Sequence, residues 1–441
     1  MGYKNFNAKT TEEFTGTLEE LGLKLPLASS YEALKAPIKI GSKTAAHRIA
    51  YHPMEGCDGT PDGSPDVLTK RRYDRFAKGG PAVVWFEAVA ISNEGRANPR
   101  QLFLHEENLD EFSSIVENIK QTCYKENGYE PIVIMQATHS GRYSRPNRAP
   151  APIIAYNNPI FEKDAPIAKD RIITDERLKE LEQTMGVSAA LAVKAGFDGV
   201  DIKACHRYLN SELLSAYTRE GSYGGSFENR TRFFLNCVRS AKASVPSAFI
   251  VTTRMNAYDG FPYPYGFGVE ENKGIELCLD EPKKIISLLK AEGVGLVNIT
   301  MGNPYFNPHV NRPYESGGYE PPEHPLTGVC RMINGIGELK KAEPSMLFVS
   351  TGFSYLKTFS ALVGAGAVEQ GMADFMGVGR MSFANPDFAV DAIKNDTVNS
   401  KKVCLVCSKC TKIMRAEKTP GCPVRDSEIY MPLFKEAEAN I

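Results

Sequence analysis

Lys203, Cys205, His206 and Tyr208 follow one another at the end of an apolar run, GVDIK, within the stretch Gly196–Phe233. A strand that ends in ionisable and hydrogen-bonding side chains and runs into a helix is how a barrel enzyme displays chemistry. A second chemical grouping is the array Cys404-x2-Cys407-x2-Cys410-x11-Cys422, which gathers four of the ten cysteines into 19 residues. Four soft thiolates at this spacing can close around one metal centre, and an iron–sulfur cluster and a structural zinc both fit. Lys401, Lys402, Lys409, Lys412 and Arg415 flank the array, where they would lower thiol pKa values, offset a cluster's charge or dock an acidic partner. A third grouping pairs Ser350-Thr351-Gly352 with Gly377-Val378-Gly379-Arg380. Glycines let backbone N–H groups approach a phosphate closely and the arginine adds a charged fork, although tight turns also need glycine.

These groups need a scaffold that brings them together. Eight near-continuous apolar runs read as strands buried on both faces: 48–54, 82–92, 131–141, 199–206, 249–257, 295–302, 346–352 and 374–380. Helical patterns follow most of them, over 65–77, 107–125, 175–195, 229–243, 281–292 and 355–365. Eight β-then-α units predict a (β/α)8 TIM barrel in the α/β class, with a C-terminal cysteine-rich extension. The boundaries expected are an N-terminal extension over 1–36, a barrel over 37–395 and the cysteine segment over 396–441. In such a barrel the strand C-termini carry the active site. Glu55, Glu87, Gln136 and Arg254 then join Lys203 and His206 at one mouth. Arg254 sits inside an apolar run, so it needs an anionic partner, either a ligand or a carboxylate such as Glu55 or Glu87. Lys203 has two readings of equal standing: a cation facing the ligand, or an ion pair with a carboxylate such as Glu55. The loops 142–174 and 303–324 should overhang the same mouth, the second presenting Tyr305, Phe306, His309, Arg312 and Tyr314.

Composition narrows the function class. The 441 residues carry a formal net charge of -1 and 42% hydrophobic residues, which argues for a packed globular protein without a nucleic-acid-binding basic stripe. No run of about 18 apolar residues suggests a membrane span. The polar N-terminal stretch has no apolar signal core, and six cysteines are isolated, so a reducing cytoplasm is expected rather than a disulfide framework.

The ordered set of motifs resembles the old yellow enzyme family of FMN-containing NAD(P)H:flavin oxidoreductases, over about residues 37–395. It comprises Pro53-Met54, Glu87-Ala88, Gln136 with His139-x-Gly141-Arg142, His206-x-Tyr208, Tyr223-Gly224-Gly225-Ser226 with Glu228-Asn229-Arg230, Arg254, Gly352 and Gly379-Arg380. The resemblance implies non-covalent FMN held by Pro53, Met54, Ala88, Gln136, Arg254, Gly352, Gly379 and Arg380. It also implies hydride transfer from reduced flavin to an activated alkene, NAD(P)H as reductant, His206 and position 203 as donors to the substrate, and Tyr208 as proton source. The chain departs from the usual pattern at Lys203, where family ene-reductases usually carry histidine. The cysteine array is similar to the 4Fe–4S segment of the 2,4-dienoyl-CoA reductase and trimethylamine dehydrogenase branch, with zinc as the alternative occupant. That branch also implies a rival activity, oxidative C–N cleavage of an amine. No G-x-G-x-x-G follows a strand; Gly364-Ala365-Gly366 falls in a helical pattern and lacks the third glycine. A separate electron-donor protein near the cysteines, a small unsaturated substrate and a homo-oligomer are the partners expected.

Overall fold

The computed structural model describes residues 5–439. Eight parallel strands close into a barrel: β1 Ile49–Tyr51, β2 Val83–Ala90, β3 Ile132–Thr138, β4 Gly199–Ile202, β5 Ile250–Asn256, β6 Leu296–Thr300, β7 Leu347–Ser350 and β8 Phe375–Val378. The ring closes where Val378 of β8 pairs with Tyr51 of β1. Every strand falls within one of the eight apolar runs.

Alternation along the strands makes two cores. Ala50, Val83, Trp85, Ile132, Ile134, Ile250, Leu296, Val349 and Phe375 fill the barrel interior. Their strand neighbours, such as Val84, Phe86, Val133 and Val200, face outward against the helices. A short hairpin, Ile38–Ile40 with Lys43–Ala45, adds Ile40 and Ala45 to the interior core and so plugs one end of it. Its three-residue strands are too short to give a periodic signal in the sequence.

Helices after the strands span Val67–Lys78, Leu109–Asn127, Asp175–Lys194, Phe227–Ala243, Asp280–Ala291, Pro325–Ala342 and Ser360–Glu369, with two short ones, Arg380–Ala384 and Phe388–Lys394, after β8. Ser226 caps Phe227–Ala243 by accepting from the Asn229 N–H, so the glycine-rich stretch before it is a structural lead-in. Two expectations change. Pro325–Ala342 is a full helix that the sequence hides, because Gly328, Gly335 and Gly337 depress helix propensity while tertiary burial restores it. The segment expected as one helix over 355–365 is a 3-10 segment, Phe353–Phe359, kinked at Lys357 (φ 52°), followed by Ser360–Glu369.

The N-terminal helix Thr11–Glu20 is anchored by Phe14, whose ring stacks on Phe359 at 4.7 Å. At the other end the helices Lys409–Arg415 and Ser427–Ala439 enclose Ile413, Tyr430 and Phe434. Asp426 pins this extension to the barrel by ion pairs with Arg71, at 2.7 Å, and Arg75. Among the described residues no helix is long and apolar enough to cross a membrane.

A buried ion cluster fixes the loop after β1. Arg72 pairs with Asp58 at 2.5 Å and with Glu87, and Glu87 Oε2 accepts the Gly56 N–H at 2.7 Å. A register shift between Phe86 and Ala88 turns Glu87 outward to this cluster. Truncating the arginine would strand two buried carboxylates. Arg72→Ala is therefore expected to cost about 3–5 kcal/mol in denaturant unfolding, whereas an exposed arginine such as Arg239 should cost less than about 1 kcal/mol.

Candidate active site

The strand C-termini surround one cavity of about 1120 Å³, its open mouth included. It brings together all the residues that the sequence assigned to catalysis or cofactor binding: Pro53 and Met54 after β1, Ala88 on β2, Gln136 on β3, Lys203, His206 and Tyr208 at the end of β4, Arg254 on β5, Gly352 after β7, and Gly379-Arg380 after β8. The bulge at Glu87 has a local reason for its place. By sending Glu87 outward it brings the small Ala88 to the cavity wall.

Four cations line this cavity, Lys203, Arg254, Arg312 and Arg380, against one carboxylate, Glu55. None of the four forms an ion pair within 4.0 Å among the described residues. Arg254 Nε, Arg312 Nη1 and Arg380 Nη1 are buried without a hydrogen-bond partner. Arg380 is steadied by its other nitrogen, Nη2, which donates to the Pro313 carbonyl at 2.6 Å. Neither Glu55 nor Glu87 is the ion-pair partner foreseen for Arg254: Glu87 belongs to Arg72. Burial and the neighbouring Arg380 bring Arg312 down to about 10.

Lys203 lines the cavity, and the ion pair with Glu55 that one of its two readings expected does not form. It is buried, and its Nζ lies 3.7 Å from the centre of the Tyr208 ring, a cation–π contact, rather than in an ion pair with Glu55. Burial pulls its pKa down, while Cys205 and Glu55 oppose the fall. His206 and Arg207 both take positive φ, 64° and 60°. Arg207 turns into the interior, where it pairs with Asp259 at 3.1 Å, and this tether holds the strained corner that presents His206. Burial, Arg254 and Lys203 keep His206 well below its ordinary pKa, so its imidazole is neutral, and its Nε2 has no partner. The Tyr208 hydroxyl lies 2.8 Å from that of Tyr305 and donates to Glu55 Oε2 at 3.4 Å. Burial first, then Glu55 and Tyr305, hold its pKa well above 10.

Two glycines are needed where they stand. Gly352 takes φ 108°, and a Cβ on Gly377 would meet His52 Nε2 at 2.2 Å. Sequence reasoning missed His52, whose Nε2 is buried and unpartnered in the cavity wall, and Asp201, which sits just below it. A histidine and an aspartate inside apolar strands were the signals available. In the loop 303–324 only Tyr305 and Arg312 of the five residues named reach this cavity. Phe306 packs on Phe161 and Phe261, His309 on Tyr319, and Tyr314 on Tyr319.

The four array cysteines line a second, smaller cavity bounded by Arg380 and Phe383, and Cys410 also lines the first. None of the four is in a disulfide. Burial pushes Cys404 up to about 12, with Arg380 opposing. The Val406 N–H donates to Cys404 Sγ at 3.4 Å.

Comparison with known proteins agrees with this arrangement. An NADH:flavin oxidoreductase of Gibberella zeae is 27% identical over 287 residues, 60% of this chain and 66% of that protein. An NADH oxidase of Thermoanaerobacter brockii is 25% identical over 382 residues, 84% of this chain and 52% of that protein. The chain thus spans about half to two thirds of the length of these relatives. Among solved structures, a 2-naphthoyl-CoA reductase in complex with 2-naphthoyl-CoA superimposes with a TM-score of 0.72 at 20% identity, covering 92% of this chain and 58% of that one. Histamine dehydrogenase from Rhizobium sp. 4-9 does so with a TM-score of 0.67 at 19% identity, covering 89% and 52%. At these identities the structures share the fold. The family model that describes the NADH:flavin oxidoreductase / NADH oxidase family matches residues 33–294, more than half of the chain, and the chain belongs to that family.

Proposed function

We propose that the protein is an FMN-dependent ene-reductase that reduces an activated C=C bond. The observation that carries this reading is the cavity itself: a donor pair, a proton source and an unneutralised cationic floor face one space. The residues fit FMN. Arg254 and Arg380 are buried cations with unpartnered nitrogens, and a polyanionic, hydrogen-bonding ligand supplies what they lack. Gly352, Gly379 and Arg380 would hold the phosphate, and Pro53, Met54, Ala88, Gln136 and Arg254 the ring system. When bound, FMN supplies hydride transfer, with NAD(P)H as the reductant the family suggests. The chain's own residues do the rest. Lys203 and neutral His206 donate to the carbonyl or nitro group of the substrate and stabilise the charge that develops there. Tyr208 holds a proton at its hydroxyl and delivers it to carbon.

The rival reading, oxidative C–N cleavage, meets an electrostatic objection. A cationic amine would meet the buried Lys203 ammonium, which the FMN assignment leaves facing the substrate.

We read residues 396–441 as a cluster-carrying extension of a barrel spanning 37–395. Four thiolates that face one small cavity can hold a 4Fe–4S cluster or a zinc, and the resemblance to the 4Fe–4S branch supports the cluster.

Three measurements test these assignments. In the first, Tyr208→Phe should slow reoxidation of the reduced holoprotein by a ring enone about 100-fold or more, with flavin reduction nearly unchanged. Reoxidation by no enone, together with bleaching by an amine, would transfer the site to the rival reading. In the second, Arg254→Met should move two quantities in opposite senses. Removing an uncompensated buried cation should raise the melting temperature of the flavin-free protein, while FMN binding weakens at least about tenfold. In the third, iron and acid-labile sulfide analysis should return about four of each per chain, and stoichiometric zinc without sulfide would replace the cluster assignment.

A further inference from the structure

Tyr208 is 2% exposed, so a proton that it gives up leaves a phenolate enclosed by protein. That phenolate must be reprotonated before another turnover. Two groups touch its oxygen, the Tyr305 hydroxyl at 2.8 Å and Glu55 Oε2 at 3.4 Å. Tyr305 is a second phenol; it also lines the outer chamber, but a carboxyl gives a proton to a phenolate far more readily than another phenol does. Glu55 is the only carboxyl in the cavity wall among the described residues. Its carboxyl is held in one orientation, because Asn98 Nδ2 donates to Oε1 at 3.0 Å while Asn98 Oδ1 accepts the Arg100 N–H at 2.9 Å. This leaves Oε2 for Tyr208. The backbone beside it is equally fixed through the Gly56 N–H and the Arg72 cluster. Glu55 also lines a separate open chamber, shared with Cys57, Asn98, Tyr143, Arg145 and Glu417. It therefore touches the proton donor in one cavity and borders a second.

We propose that Glu55 is the proton relay of this site, returning a proton to the Tyr208 hydroxyl through Oε2 and drawing its own from the outer chamber. The inference rests on the ene-reductase reading. The balance is simple. The Tyr208 O–H bond breaks as the substrate C–H bond forms, and the Glu55 O–H bond breaks as the Tyr208 O–H bond reforms. The carboxylate then takes a proton from solvent in the outer chamber, and no electrons change hands. Burial raises the Glu55 pKa, which favours a proton-carrying carboxyl; Lys203, Tyr208 and Asn98 oppose the rise, and Asp58 adds to it. The other charged or titratable groups around it are Cys57 on its own loop, Glu87 on β2, Tyr305 after β6, and Arg142, Tyr143, Arg145, Arg415 and Glu417 around the outer chamber. Because the protonated form acts, the relay is present at low pH and is lost as pH rises through the Glu55 pKa.

The test is Glu55→Gln, which keeps the shape and removes the proton. In steady-state turnover of the holoprotein with excess dithionite and 2-cyclohexenone, the rate should fall at least about tenfold. Its alkaline limb should disappear, and added acetic acid should restore part of the rate. Tyr305→Phe should retain the alkaline limb. A Glu55→Gln rate within twofold of the parent, with Tyr208→Phe slow, would overturn the relay and leave the ene-reductase reading standing. Equal rates in the parent and Tyr208→Phe would instead remove the donor role of Tyr208, and the relay with it. A second readout needs no substrate. The flavin-free protein should show a carboxylic-acid C=O infrared band that Glu55→Gln abolishes and Tyr208→Phe shifts. If Glu55→Gln removes no such band, the relay is wrong whatever the turnover result.

Discussion

A single buried carboxylate ties together the part of the barrel that carries the chemistry. Asp201 on β4 accepts from Trp85 Nε1 of β2 at 2.7 Å, from Gln136 Nε2 of β3 at 2.6 Å and from the Arg254 N–H of β5 at 2.5 Å. Four consecutive strands thus meet at one side chain. Burial drives its pKa up to about 6, and the donors from Gln136 and Trp85 resist that rise. Its grip on Gln136 uses the amide nitrogen and leaves the amide oxygen to the cavity. Its charge lies near the Arg254 guanidinium, which has no ion pair of its own. The positions of two proposed flavin contacts are therefore consequences of a carboxylate that lies beneath the cavity wall.

Above Asp201 the electrostatics run one way. Cations on β4, on β5 and in the loops after β6 and β8 face a space with one carboxylate in its wall. Leaving buried charges unpaired is costly, and the structure spends that cost where an anion or a developing negative charge can use it. Lys203 shows how the cost is reduced without giving up the charge. An ion pair with Glu55 would cancel its field, whereas the face of the Tyr208 ring solvates the ammonium and leaves it positive. The same contact places a cation against the phenol proposed as the proton donor.

The fold was legible because parallel strands buried on both faces must be apolar throughout, and because the chemistry of such barrels is confined to strand ends. That is why residues as far apart as Pro53 and Arg380 could be placed at one mouth. What stayed hidden depends on contacts that sequence neighbours do not reveal. The bulge at Glu87 reverses which of Glu87 and Ala88 faces the cavity, and it exists because Arg72 and the Gly56 N–H need a carboxylate outside the barrel. The three glycines of Pro325–Ala342 suit close helix packing, with a Cβ on Gly335 or Gly337 meeting Met301 or Met372 within 3 Å, and they read as disorder to any local rule. The partner of Lys203 was sought among carboxylates and is an aromatic ring five residues on. The orientation of Glu55 is set by Asn98 and Tyr208, 43 and 153 residues away.

The cavity has two functionally different walls. One carries Glu55, Tyr208 and Tyr305, joined by hydroxyl and carboxyl contacts through which protons can move. The other is shared with the cysteine cavity: Arg380, Phe383 and Cys410 line both spaces. In the proposed reading those cysteines would hold a cluster and Arg380 the FMN phosphate, so electrons and protons would reach the same space through different residues. Such a division lets each supply be altered without the other. A carboxyl placed after β1 changes how Tyr208 recovers its proton and leaves Cys410 untouched. Arg380 lines both the main cavity and the cysteine cavity, so on the proposed reading removing its charge would disturb the phosphate site and the cluster together while leaving the Glu55–Tyr208 wall in place.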